Sequence, residues 1–201
     1  MSEPHENTDS TEDAELVTRC QGGDLGAYDE LVIRYRSRIH GMILRMVRND
    51  ADAWDLSQDA FVKAWKALPK YEGRSSFYTW LYRIAHNVTY DWLRKRKIEG
   101  SVEFDETFER TSIDPDSKTS PRKAEQPDEG MERSELRDRL ETAIGKLSPD
   151  HRAVVLMKDV EGMRYQEIAD TLECSLGTVM SRLHYARKKL QADLQNLDRT
   201  L

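Results

Sequence analysis

The feature that most limits how this chain can fold is a gap: between residues 99 and 132 every apolar period disappears. Asp114-Pro115-Asp116, Ser120-Pro121 and Gln126-Pro127-Asp128-Glu129-Gly130 punctuate a polar, acidic stretch with little to bury. Such a segment cannot offset the entropy lost in ordering it. On both sides of the gap apolar residues return with a helical period, and no repeat or strand alternation accompanies them. One thick core is therefore not expected. The expectation is an all-α chain of two small helical domains, residues 14–98 and 133–201, joined by a flexible acidic linker over 99–132 and preceded by a disordered acidic tail over 1–13. A length of 201 residues with 34% charged and 38% hydrophobic side chains suits two small domains better than one large one.

In the first half a helical pattern starts near Ala14 and strengthens through Tyr28, Leu31, Val32, Tyr35, Ile39 and Ile43, with a turn expected at Gly22-Gly23-Asp24. A second helix follows Asp50-Ala51-Asp52, places Phe61, Ala64, Trp65 and Leu68 on one face, and stops at Pro69. Residues 71–76 form a loop whose serines can cap the next helix. After the gap the period resumes with Leu136, Leu140, Ala143, Ile144 and Leu147. Ser148-Pro149-Asp150 then supplies a cap, a first-position proline and an acidic first turn for a helix carrying Val154, Val155 and Met157.

The stretch from Phe77 to Lys97 combines two surfaces on one helix. At about 100° per residue, Leu81, Ile84, Ala85, Val88 and Trp92 share an apolar stripe, and Trp80, Arg83, Asn87, Tyr90 and Arg94 lie opposite. Exposed aromatics among arginines suit something flat and anionic, such as unpaired bases on a phosphate backbone. The plainer reading, a helix buried on two sides with a solvated basic end, stands beside it.

Tyr165 to Val179 reads as helix-turn-helix. The first helix buries Ile168, Ala169 and Leu172. The second, capped by Ser175, buries Leu176, Val179, Leu183, Ala186 and Leu190 and leaves Thr178, Ser181, Arg182, Tyr185, Lys188 and Lys189 outward. An outer face rich in hydroxyls and cations and free of acids suits a major groove. An ordinary αα-hairpin with a solvated face is the alternative.

The net charge of −6 does not suggest a nucleic-acid binder, but the charge is uneven. Acids crowd the N-terminus up to Glu15, whereas Arg94 to Lys97 and Arg182, Arg187, Lys188 and Lys189 are local cationic clusters. Asp52, Asp55 and Asp59, with Gln58 beside them, form an acidic row that taken alone is a solvated face. No His pair, metal-ligand spacing or nucleophile elbow accompanies them, so no catalytic site, cofactor or metal is expected. Cys20 and Cys174 lie far apart and show neither a disulfide framework nor a zinc motif, which points to a cytoplasmic protein. No apolar run approaches the length of a membrane span and the polar N-terminus has no signal-peptide core, so neither insertion nor export is expected.

Three pieces in this order resemble bacterial sigma factors of the extracytoplasmic-function type, a compact group within the sigma-70 family. They are Asp55 to Phe61, Ser76 to Ala85, and Gly177 to Leu183 with Ala186-Arg187. The resemblance implies binding to core RNA polymerase through Asp55, Gln58 and Asp59. It implies capture of the melted minus-ten promoter strand through Tyr71, Arg74, Ser75, Phe77, Tyr78, Trp80, Arg83, Asn87 and Arg94. It implies duplex reading of the minus-thirty-five element through Ser175, Thr178, Ser181, Arg182, Tyr185, Lys188 and Lys189. It further implies an anti-sigma factor as partner, no small-molecule substrate, a linker threaded through the polymerase's RNA exit path, and a stress- or envelope-related regulon.

Three departures from the family pattern accompany these matches: Trp54 where an acid is usual, Met180 where a base is usual, and Glu173 where glycine is common. By helical angle Met180 sits on the shoulder of its helix, where it can pack inward. A dimeric helix-turn-helix regulator is the main alternative and does not account for the aromatic-basic helix; a recombinase or nuclease lacks a nucleophile or metal cluster.

Overall fold

A computed structural model describes residues 6–98 and 127–198, with side chains over 11–98 and 136–195. The described residues build α1 (Glu6–Gln21), α2 (Leu25–Val47), α3 (Asp50–Ala67), α4 (Phe77–Ile98), α5 (Pro127–Gly145), α6 (Pro149–Val155), α7 (Tyr165–Thr171) and α8 (Leu176–Asp198), with no strand among them. Most of the expected linker, residues 99–126, lies outside the described residues.

Two helices start earlier than composition predicts. α1 begins at Glu6, inside the expected acidic tail, and one of its acids, Asp13, is drawn into the fold. Asp13 is 5% exposed. It accepts hydrogen bonds from the Tyr35 hydroxyl and, at 2.8 Å, from Arg34, whose guanidinium also meets Glu12 at 2.9 Å. A paired acid packs against α2 where an unpaired one would stay in water. α5 begins at Pro127, inside the expected linker, because proline followed by acids is a favourable first turn.

Asp24 caps α2 by accepting from the Ala27 N–H at 3.2 Å, next to Gly23 at φ 93°, and the expected turn lies there. α2 buries Leu31, Tyr35, Ile39, Met42, Ile43 and Met46. Asn49 caps α3, whose buried alanines Ala53, Ala60 and Ala64 allow close packing, and the helix gives way to a short 3₁₀ turn around Pro69. Ser76 caps α4, accepting from the Thr79 N–H at 3.1 Å.

α4 is buried more widely than its sequence stripe. Leu81, Ala85 and Val88 are in the core as expected, but Ile84 and Trp92 are only half-buried, while Phe77, Tyr82, His86 and Thr89 are buried. The helix packs on two sides, and its second side meets the C-terminal half. Burial lowers the pKa of His86, whose Nε2 has no hydrogen-bond partner among the described residues.

In the C-terminal half Ser148, Pro149 and Asp150 open α6 as their order predicts. The chain then widens into a π turn at Leu156–Val160, closed by the Glu161 N–H on the Leu156 carbonyl at 3.0 Å, and reverses at Gly162 with φ 70°. α8 buries Val179, Leu183, Ala186 and Leu190, whereas Leu176, in its first turn, is 40% exposed against expectation. Leu136 and Leu140, expected in the core, are exposed. Among the described residues no helix is long and apolar enough to cross a membrane.

The halves meet where the C-termini of α2 and α5 converge, bringing two negative dipole ends together. Arg152, 5% exposed, lies between them and donates to the carbonyls of Met46 at 2.6 Å, Gly145 at 2.6 Å, Leu147 at 3.1 Å and Ile144 at 3.2 Å. Burial, and then the nearby Arg48 charge, lower its pKa to about 10, which still leaves it charged at neutral pH. At Gly145 the Arg48 guanidinium lies where a Cβ would sit, so a side chain there would displace that arginine.

The turn between α7 and α8 carries Glu173 at φ 51°, the left-handed conformation that glycine adopts without strain. Its ion pair with Arg83, 3.6 Å apart and exposed, offsets little of that strain. Glu173→Gly is therefore expected to stabilise the protein by about 0.5–1 kcal/mol, a gain read as a rise of a few degrees in Tm. An unchanged or lowered Tm would contradict a strained turn.

Candidate nucleic-acid and partner interfaces

On α3 the buried residues Ala53, Leu56, Ser57 and Ala60 face the core, and the positions between them face solvent. Trp54, Asp55, Gln58 and Asp59 are exposed, and neither Asp55 nor Asp59 makes an ion pair among the described residues. Asp52, expected in the same acidic row, is instead neutralised by Arg96 of α4 at 3.1 Å. The helix start thus joins the fold, and the following two turns are left as an unpaired acidic face. Trp54 is 47% exposed and stacks on His40 at 4.3 Å, so this departure from the family pattern presents a held aromatic edge beside the acids.

The loop before α4 is shaped from within. The Tyr71 hydroxyl donates to the Ser75 carbonyl at 2.6 Å, Arg74 pairs with Glu72 at 2.6 Å, and Gly73 turns the chain at φ 69°. Tyr71 and Phe77 flank the Trp80 ring, with centroids at 4.9 and 5.6 Å. Phe77 is 3% exposed and belongs to the core, so its ring supports Trp80 and does not face solvent. Arg83, Asn87, Tyr90 and Arg94 are exposed along the face of α4 that Trp80 begins. Asn87 also lines a groove of about 220 Å³ between α3 and α4, together with Lys63 and Asp91.

Tyr78 is separated from that row. It lies about 160° around the helix from Trp80, and its hydroxyl donates to Glu161 at 2.6 Å under the guanidinium of Arg38, 3.7 Å from the ring centroid. Burial, and then this hydrogen bond, push its phenol up. Arg38 and Glu161 carry no periodic or motif signal in the sequence, and only the folded chain brings them together.

In the helix-turn-helix, Ser175 caps α8 by accepting from the Thr178 N–H at 3.1 Å. Thr178, Ser181, Arg182, Tyr185, Lys188 and Lys189 follow on α8. Tyr185 is 61% exposed, while Arg182 is half-buried and pairs with Asp150 at 3.0 Å. Lys189 reaches back to the Lys146 carbonyl at 2.9 Å. Arg187 is held by Asp159 through two nitrogens and is an internal strut. Met180 is 54% exposed, so the inward packing that its helical angle allows does not occur. Among the described residues no group of His, Cys, Asp and Glu is placed to hold a metal ion, and Cys20 and Cys174 are free thiols.

Residues 31–98 match the family description Sigma-70 region 2, and residues 137–190 match Sigma-70, region 4. The chain is 37% identical to the RNA polymerase sigma-H factor of Pseudomonas aeruginosa over 92% of its own length and 95% of that protein's. It is 34% identical to the ECF RNA polymerase sigma-E factor of Escherichia coli, over 93% and 96% of the two chains. Among solved structures, CnrH in complex with the cytosolic domain of CnrY matches with a TM-score of 0.64 and 27% identity, over 92% of this chain and 98% of that one. The sigma factor RpoE from Bartonella quintana, in complex with the anti-sigma factor NepR, has the same fold, with a TM-score of 0.64 and 24% identity over 84% and 96% of the chains. A capped helix-turn-helix, an aromatic-basic helix and a likeness to sigma factors at 34% and 37% identity over more than nine-tenths of the chain thus converge, and the chain belongs to the extracytoplasmic-function RNA polymerase sigma factors, the proteins that direct transcription initiation.

Proposed function

We propose a division of labour among three faces. Asp55, Gln58 and Asp59 of α3 dock on core polymerase. The loop residues Tyr71, Arg74 and Ser75, together with Trp80, Arg83, Asn87 and Arg94, engage the melted minus-ten strand, with Phe77 as the buried support of Trp80; Tyr78, on the other side of α4 and bonded to Glu161, is left out of that face. Ser175, Thr178, Ser181, Arg182, Tyr185, Lys188 and Lys189 bind the minus-thirty-five duplex. The observation that carries this reading is the outward row on α4, where a half-buried tryptophan shares one face with exposed Arg83, Asn87 and Arg94. Aromatic and cationic groups on one face match the stacked bases and backbone of a single strand.

On this reading the protein works by binding alone, in the cytoplasm, with the chemistry left to the polymerase, and it serves a stress- or envelope-related regulon. An anti-sigma partner belongs to the same reading, supported by the likeness to CnrH, which was solved with the cytosolic domain of CnrY.

Position along α8 separates two kinds of contact. Its N-terminal turns approach base edges and its later turns run out toward the backbone. Arg182→Ala is expected to change which minus-thirty-five sequences are used, at about 1–3 kcal/mol for a base-reading contact. Neutralising Lys188 and Lys189 is expected to weaken all promoters alike and to reduce the salt slope by about one per lysine. Met180→Arg is expected to tighten duplex binding without loss of Tm, since the side chain is already outside. A promoter-library selection with holoenzyme reads all three, and an unchanged sequence preference for Arg182→Ala would remove the base-reading role.

A further inference from the structure

The part of α8 that projects farthest from the core carries little charge. Val179, Leu183, Ala186 and Leu190 mark its buried side. At about 100° per residue the opposite side, over about two and a half turns, runs through Gly177, Met180, Ser181, His184 and Tyr185. All five are exposed, Met180 at 54% and Tyr185 at 61%. Lys188 joins them only in the following turn.

The guanidinium groups of α8 stand at the margins of this face and are engaged. Arg182 is half-buried and donates to Asp150 of α6 at 3.0 Å, a carboxylate that also accepts from Tyr90 of α4 at 3.0 Å. Arg187, on the other margin, is tied to Asp159. Between them lie a thioether and two rings. His184 and Tyr185 meet edge to face, with centroids 5.5 Å apart and planes at 75°. A ring already held by its neighbour loses less freedom when a ligand covers it. Met180, unbranched and polarisable, can follow the contour of a groove. At Gly177 a Cβ would meet only the Ser175 hydroxyl, at 3.7 Å, so the bare backbone of the first turn is free to approach a base edge.

In the major groove guanine is marked by two acceptors, which a guanidinium or ammonium fits, and thymine by its C5-methyl group, which an apolar side chain fits. A central face of thioether and rings offers the second kind of contact. We propose that Met180 and Tyr185 read thymine C5-methyl groups in the minus-thirty-five element, so that this protein selects a thymine-bearing upstream sequence, with Arg182 serving one edge of the site. The proposal rests on the assignment of α8 to that duplex made above. Each methyl group covered is expected to raise affinity about fourfold, the value for burying one methylene-sized apolar group.

The test uses core polymerase loaded with the full chain. A library randomised over the minus-thirty-five element first returns the preferred sequence. Each of its thymines is then replaced in turn by deoxyuridine, which keeps the base pair and removes only the methyl group. Competition binding on these duplexes is measured for the wild type, Met180→Gln, Met180→Leu and Tyr185→Ala, with thermal melts on the same variants. The expected result is a thymine-bearing preferred sequence, a loss of about fourfold on uracil at the positions read, and an unchanged Tm, because the substituted side chains are exposed. At one such position Met180→Gln should bind thymine and uracil equally while Met180→Leu still tells them apart; at another Tyr185→Ala should bind both equally. A preferred sequence without thymine, or uracil tolerated throughout, overturns the methyl reading, and so does a uracil penalty that Met180→Gln and Tyr185→Ala both keep. In those cases α8 keeps its duplex, since the library still returns a preference. A library that returns no preference also overturns the methyl reading, and if neutralising Lys188 and Lys189 then leaves duplex affinity unchanged, the assignment of α8 to the minus-thirty-five element falls with it.

Discussion

Replacing Asp55 and Asp59 together by lysine is expected to weaken association with core polymerase on the order of 100-fold or more, because like charges placed across an interface are strongly unfavourable. Folding should not change. Both carboxylates are exposed and make no ion pair among the described residues, so the fold gains little from their charge. Asp52, one turn earlier, provides the internal contrast: it is tied to Arg96 at 3.1 Å, and its reversal should disturb the α3–α4 contact. Affinity measured by competition against the wild type, with thermal melts on the same samples, reads both effects. Equal affinity of the double variant would mean that the acidic face is only solvated.

Phe77→Ala and Trp80→Ala should separate two aromatic residues that look alike in the sequence. Phe77 is 3% exposed and packs against Tyr35, Tyr71 and Trp80, so its truncation is expected to cost about 3–5 kcal/mol of stability through the lost apolar burial and the cavity left behind. Trp80 sits at the edge of the same ring cluster with one side toward solvent. Its truncation is expected to cost less in folding and to slow promoter opening by roughly 5- to 150-fold, equivalent to about 1–3 kcal/mol for a stacked base. Denaturant unfolding and a fluorescence assay of strand separation, run on both variants, distinguish the roles. A Trp80 variant whose loss of opening equals its loss of folding would make that residue structural as well.

The comparison of Phe77 with Trp80 shows where sequence reading reaches its limit. A helical period resolves a helix into faces, but it does not say how many of those faces are covered. On α4 the stripe through Leu81, Ala85 and Val88 is legible because it packs within its own half. Tyr82 and His86 gave no such signal, because they are buried on the side of α4 toward the C-terminal half. The same limit applies to Asp13, which composition places in an acidic tail and which tertiary contact with Arg34 and Tyr35 draws into the fold. Leu136 and Leu140 err in the other direction, since among the described residues the apolar period near the start of α5 is left exposed.

By itself the sequence determined what depends on near neighbours along the chain: the helices, the turn at Gly22-Gly23-Asp24, the caps at Ser148 and Ser175, and the three motifs in family order. Hydrogen bonds to the next turn and a period of about 3.6 residues act over a few positions, so they can be read locally. Only the tertiary structure decided that Phe77 is support and Trp80 surface, that Met180 points out, and that Asp150 and Glu161 face α4. Those outcomes depend on which surfaces meet after folding. The donors that reach Glu161 lie 123 and 83 positions away in the chain, and no local pattern encodes pairings at that separation.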